Sequence, residues 1–272
     1  MKIDGVTLEP GSLIDNVTLT GKKINMAMLT GARIISSDFS DSEMRYTKLG
    51  DATLNNSTFE RVDFSGAYLV LAKMVGSDFS QAVFINAVLD QTICTMSDMS
   101  DVSLINVQFN DADLRGVNLN RCTLLDSSVR NSKMQYANMS ESVLQKTDFS
   151  GSDMRGVTLI LSDLRWSNLS NCVLDHSDFF QAILIGANFK GASLSHSNFD
   201  RCNLMEADLS DANFSEATLS RCNLQKAKFH NTNLMNADLS FANISGANLT
   251  FEQLSYVKSL SGTIMPDGSV HH

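Results

Sequence analysis

Few residues in this chain have the type and spacing that chemistry needs. His176, His196 and Glu216 stand at intervals of twenty residues, and imidazole with carboxylate suits a transition metal. Asp38, Asp78, Asp98, Asp178 and Asp238 also differ by multiples of twenty, and paired carboxylates do acid–base work where a pocket separates their pKa values. Cys94, Cys122, Cys172, Cys202 and Cys222 complete the set of nucleophiles and soft ligands. None of these falls in a catalytic motif: a phosphate-binding loop, a dinucleotide fingerprint, a nucleophile elbow and a zinc-protease helix are all missing.

Composition narrows the classes further. The 272 residues carry 21 Lys+Arg against 30 Asp+Glu, a net charge of −9, and there is no basic face to neutralise phosphates, so direct nucleic-acid binding is not expected. The longest near-apolar stretch, Ala67–Val75, contains Lys73 and is about half the length of a membrane span. The opening MKIDGVTLEP has no apolar core of a signal peptide, which predicts a cytoplasmic protein.

The elements that hold these residues follow a period of five. From Leu19 to Leu254 every fifth residue, 48 in succession, is Leu, Phe, Met, Ile, Val or Cys. The residue two before each is small (Ala, Ser, Thr, Val or Cys) 45 times in a row, from Ala27 to Ala247. Five fits neither the helix period nor an unbroken strand. It fits a chain that turns a corner every five residues, with the large residue and the small one two before it on the same side. Four sides close a square coil of twenty residues, and 48 quintets make about twelve coils. Stacked as parallel strands, they predict a rigid rod roughly 58 Å long. A second large inward residue on each side would overpack so narrow an interior.

Runs such as Ala207-Asp208-Leu209-Ser210, Ala237-Asp238-Leu239-Ser240 and Ala247-Asn248-Leu249-Thr250 resemble the A(D/N)LXX motif of pentapeptide-repeat proteins. The resemblance covers 236 of the 272 residues. It implies an all-β fold, a right-handed quadrilateral parallel β-helix, as the period suggests. Pro10 and Pro266 lie outside the array, where no ladder hydrogen bond is lost. Ten of the fifteen glycines sit two after a large inward residue, at the corner where positive φ is needed. All five cysteines occupy inward positions and are expected to be reduced core residues.

The ends of such a helix need covers. Ile3, Leu8 and Leu13 keep the beat, and one extra residue before Leu19 shifts the register, so residues 1–18 are read as an irregular first coil that closes the amino end. The helix proper is 19–254, with 255–272 as a carboxyl-terminal cap and tail. Thr250-Phe251-Glu252-Gln253 reads as a capping box, predicting a short helix near 251–259 that lids the last coil. The tail GTIMPDGSVHH is similar to the ending of many bacterial family members.

With the interior filled, function is left to the outward positions, and no enzyme, metal or cofactor is expected. His176, His196 and Glu216 fall in one flat row, whose side chains diverge poorly for tetrahedral ligation, and His230, His271 and His272 have no evident role. Ile85, Ile105 and Leu125 follow large inward residues in consecutive coils, as Ile185 and Met205 do further along, with Trp166 nearby; an aligned apolar column points to a protein interface, with a partner or with a second copy of the chain. The side carrying Leu19, Phe39 and Phe59 has ten acids against four bases and includes Asp38, Asp78, Asp98, Asp178 and Asp238. The resemblance supplies an alternative there, because quinolone-resistance members are acidic rods thought to imitate DNA before gyrase. Against it, Asp and Asn are ordinary motif residues that bond locally to turns, and Arg61, Arg121, Arg201 and Arg221 interrupt that side.

Overall fold

The computed structural model of the chain describes residues 1–271, and it contains two compact units, Met1–Asn138 and Met139–His272. His272 lies outside the described residues. Both units are built from the same device. Parallel bridges join residues twenty apart along four tracks, exemplified by Thr18↔Asp38, Lys23↔Glu43, Met28↔Lys48 and Arg33↔Thr53 in the first unit. Val143↔Asp163, Asp148↔Asn168, Asp153↔Val173 and Thr158↔Asp178 repeat the pattern in the second. Each unit is therefore a four-sided parallel β-helix with twenty residues per coil.

The backbone chemistry of one quintet explains the corner. The large inward residue donates its N–H to a carbonyl nineteen residues later, as Phe59 does to Asp78 at 2.7 Å and Phe79 to Asp98 at 2.7 Å. Three residues after a large residue, the small residue donates back to it, as Ala67 does to Phe64 at 2.9 Å, closing a β-turn. The third residue of that turn has positive φ at every fifth position from Gly21 to Gly246. Ten of these are glycine and thirty-six are not, among them Tyr46, Leu71 and Trp166. The corner imposes the left-handed conformation whatever residue stands there. The steric cost, about 1–2 kcal/mol for a side chain with a Cβ, is offset by ladder bonds on both sides of the turn. Corners this frequent keep the paired segments short, so among the described residues only β3 (Leu13–Asp15) and β4 (Arg33–Ile35) pair in parallel over three successive residues.

The interior matches the expected two-residue filling. Phe59 stacks on Phe39 at 5.6 Å and on Phe79 at 5.0 Å between ring centroids, Phe64 on Phe84 at 4.9 Å, and in the second unit Phe179 on Phe199 at 4.4 Å. Every small position from Ala27 to Ala247 is buried. Where it is serine the hydroxyl is bonded in most cases, Ser167 being an exception. Ser42 Oγ donates to the Leu19 carbonyl at 2.9 Å and accepts the Lys22 N–H at 2.9 Å, both in the preceding coil. Cysteine does likewise: Cys172, Cys202 and Cys222 donate Sγ–H to the carbonyls of Phe149, Phe179 and Phe199. The small position selects for volume, and a hydroxyl or thiol there finds a carbonyl in its own or the neighbouring coil.

The amino end departs from expectation. β1 (Lys2–Ile3) and β2 (Val6–Thr7) form an antiparallel hairpin around Asp4 and Gly5, both at positive φ, where an irregular coil was expected. The inward residue of the next turn is Ile14, buried under Ile34, and Leu13 is 63 % exposed. Pairing of β3 with β4 sets this register, and it continues the beat backward from Leu19, whereas the five-residue spacing of Ile3, Leu8 and Leu13 belongs to the hairpin and the loop after it. At the carboxyl end, α1 (Phe251–Ser255) begins with the expected capping box, Thr250 Oγ1 accepting the Gln253 N–H and the Gln253 side chain accepting the Thr250 N–H. It is five residues long and buries none of them. The ladder then resumes one residue out of phase, with parallel bridges Asp238↔Ser259 and Asn243↔Ile264. No helix of the described residues is long and apolar enough to cross a membrane.

Candidate interaction surface

One corner of the first unit carries an apolar strip. Its register is fixed by five bonds in succession, from the N–H groups of Met26, Tyr46, Gly66, Asn86 and Asn106 to the carbonyls of Arg45, Ser65, Ile85, Ile105 and Leu125. The structure therefore sets Ile85, Ile105 and Leu125 in line, one per coil, each half-buried. Above them the same corner bears Met26 (71 % exposed) and Tyr46 (61 % exposed), and Met28 and Tyr68 stand exposed on the adjoining side. Tyr46 packs on Gly66, whose Cβ, if present, would overlap the ring. The Lys48 ammonium is 5.5 Å from the centre of the Tyr68 ring. These methionines and tyrosines were not singled out in the sequence. The signal was there in Tyr46 and Gly66, a bulky residue twenty before a glycine.

Trp166 and Gly186 show the same pair in the second unit, where an added Cβ would lie 2.1 Å from the indole. The Trp166 N–H bonds to the Ile185 carbonyl at 3.0 Å and the Gly186 N–H to that of Met205 at 2.9 Å, so Trp166, Ile185 and Met205 fall on one corner. Ile185 and Met205 are half-buried, and Trp166 is exposed.

The acidic column has a different character. Asp38, Asp78, Asp98, Asp178 and Asp238 are all half-buried, and each turns Oδ1 onto the backbone N–H two residues on, at 2.8–3.0 Å. These are Asx turns, the local alternative that short carboxylates favour. Asn118 and Asn198, one coil further, add amide donors to Asp98 and Asp178. On the same side Arg61 and Arg121 reach back one coil and hold the Asp41 and Asp101 carboxyls below the usual carboxylate range through hydrogen bonds and charge.

The other chemical candidates are placed as follows. His176 and His196 stack with ring centroids 5.0 Å apart, and Nδ1 of His196 lies 3.4 Å from the Glu216 carboxylate. Among the described residues no group of three or more His, Cys, Asp or Glu is placed to hold a metal ion. All five cysteines are buried free thiols, and burial pushes Cys94 and Cys172 up to about 12, where they are neither nucleophiles nor ligands at neutral pH.

Comparison with known proteins agrees with this geometry. A family model described as "Pentapeptide repeats (8 copies)" matches residues 42–81, 82–121, 172–211, 182–221 and 212–250. A second, described as "Pentapeptide repeat region", matches 102–179. No curated protein matches the chain. Among solved structures it is similar to HetL, a pentapeptide repeat protein involved in heterocyst differentiation regulation from the cyanobacterium Nostoc sp. strain PCC 7120, at 26% identity over 97% of this chain and 93% of that one, with a TM-score of 0.28. It is similar to QnrB1, a plasmid-mediated fluoroquinolone resistance protein, at 15% identity over 93% and 91% of the two chains, with a TM-score of 0.29. A thylakoid-lumen pentapeptide repeat protein of Arabidopsis thaliana shows 28% identity over 46% of this chain and 83% of its own, with a TM-score of 0.23.

Proposed function

The chain belongs to the pentapeptide-repeat family, and from that premise we propose that it is a non-enzymatic interaction scaffold that docks a protein partner through the apolar strip of its first unit. The observation that carries this is the alignment of Ile85, Ile105 and Leu125 below the exposed Met26 and Tyr46 on one corner, with Tyr68 on the adjoining side. Contiguous exposed apolar side chains mark recognition surfaces. Packed interiors leave no reactive group for chemistry, and the thiols are silenced by burial. The reading includes right-handed coils, about twelve by the count of quintets, end covers from the β1–β2 hairpin and α1, and a place in a bacterial cytoplasm.

A photo-crosslinking residue tests it. Placed at Ile105 in the native cell, it is expected to trap one discrete species, either a partner or a second copy, that the same probe at Arg115 does not trap. An identical pattern at both positions, or nothing at Ile105, contradicts the scaffold.

The ten acids on the adjoining side support a second reading, a mimic of the DNA backbone that modulates DNA gyrase. It is the weaker one, because the five column aspartates are committed to their own turns and Arg61 and Arg121 pair with acids beside them. A gyrase supercoiling assay with and without a quinolone is expected to show no effect at micromolar protein, and protection of the enzyme would reverse this ranking.

A further inference from the structure

One corner of the last full coil of the second unit, between the inward residues Phe229 and Leu234, lacks the ladder partner that other corners have. One coil earlier, the equivalent donors Asp211 and Phe214 bond to the carbonyls of His230 and Asn233 at 2.8 Å each. The residues that would serve Asn231 and Leu234 in the same way are Thr250 and Gln253, and the chain has left the coil there to form α1. The Thr250 carbonyl instead accepts the Leu254 N–H. Among the described residues, the backbone N–H groups of Asn231 and Leu234 make no hydrogen bond.

The acceptors of this edge are satisfied while those donors are not. Gln253 Nε2 donates to the Phe229 carbonyl at 2.7 Å and to that of Thr232 at 3.1 Å, and Asn248 Oδ1 accepts the Phe229 N–H at 2.6 Å. What remains is an open coil edge that turns a corner, with one donor on either side of it. It opens into a cleft of 630 Å³ between the coil and α1. Buried Leu234 lines it, and Met235 and Tyr256, both more than half exposed, stand beside it. Glu252 also lines it, and among the described residues it has no ion pair.

We propose that this cleft binds a peptide segment that bends through the corner as residues 230–233 do. Two of its carbonyls, three residues apart like those of His230 and Asn233, accept the Asn231 and Leu234 N–H groups. One apolar side chain packs between Met235 and Tyr256, and one lysine or arginine pairs with Glu252. Addition of a strand to an open edge gives affinity through main-chain bonds, and the flanking side chains give selectivity. The site is independent of the apolar strip in the first unit.

The probe is a terminally blocked hexapeptide of valine and lysine around a central Asn-Gly turn, titrated into the ¹⁵N-labelled full chain, with its valine–glutamate analogue as counterpart. The amide signals of Asn231 and Leu234 are expected to shift downfield and gain exchange protection by about 1 mM peptide, and Glu252→Lys is expected to weaken the interaction about tenfold. Tyr256→Ala should weaken it as well while leaving the signals of the preceding coils in place. The proposal fails if neither amide moves, if shifts fall only outside the cleft, or if the valine–glutamate peptide binds as well as the valine–lysine one. Ile105→Asp should leave the titration unchanged, so failure of this site and failure of the strip are separately visible.

Discussion

Trp166 is an exposed aromatic held in place by a backbone it can touch. It lies across Gly186 one coil on, as Tyr46 lies across Gly66, and the missing Cβ is what allows the contact. Gly186→Ala should therefore displace the only tryptophan of the chain, shifting its fluorescence and costing about 1–2 kcal/mol, while in a Trp166→Ala background the same change costs less. Equal costs in the two backgrounds would mean that the two residues do not touch. The small inward position makes an equally local claim. Ala112 is fully buried, and its N–H donates to Ser132 Oγ at 3.2 Å, so Ala112→Leu should lower stability by about 1–3 kcal/mol in thermal melts through overpacking. A neutral shift in melting temperature would place that side chain outside the core.

At the scale of elements, the coil is held by turns and ladders together, and the serine hydroxyls tie successive coils. Ser42→Ala keeps the position small but strands the Leu19 carbonyl and the Lys22 N–H, and a loss of about 1–3 kcal/mol in denaturant titrations is expected. A variant as stable as the parent would show that those bonds contribute nothing. The coil itself was legible because its period is strict over 48 quintets. Its ends were not, because a five-residue spacing can arise without the coil. Leu13 kept the count from Ile3 yet points outward, since pairing of β3 with β4 seats Ile14 in the column. At the other end the capping box of Thr250 and Gln253 was readable, but resumption of the ladder at Ser259 was not, because it depends on the one residue that α1 inserts. The apolar strip was half visible: Ile85, Ile105 and Leu125 stand out by alignment, whereas Tyr46 needs the knowledge that a corner side chain can lie along the coil axis.

Across the whole molecule, the interior has structural work only, and its thiols make that measurable. Cys94 and Cys172 ionise near 9 when unfolded and at about 12 when buried. Between those values the unfolded chain has released protons that the folded chain retains, so stability falls with rising pH. Their contribution is therefore fully present below about pH 9 and is lost progressively toward about pH 12, and replacing both with alanine should flatten that part of the stability curve. An unaltered slope in the double variant would contradict the burial of these thiols. The same packing is why the account assigns function to the exterior, with the strip in one unit and the cleft beside α1 in the other. All of it depends on each coil closing after twenty residues. Spin labels at the exposed positions 81 and 101, one coil apart, test that closure most directly. The account predicts strong dipolar broadening for this pair, whose backbones lie about 4.8 Å apart, and far weaker broadening for labels at 81 and 91 on opposite sides of the coil. Equal broadening in the two pairs, or stronger broadening at 81 and 91, would contradict it.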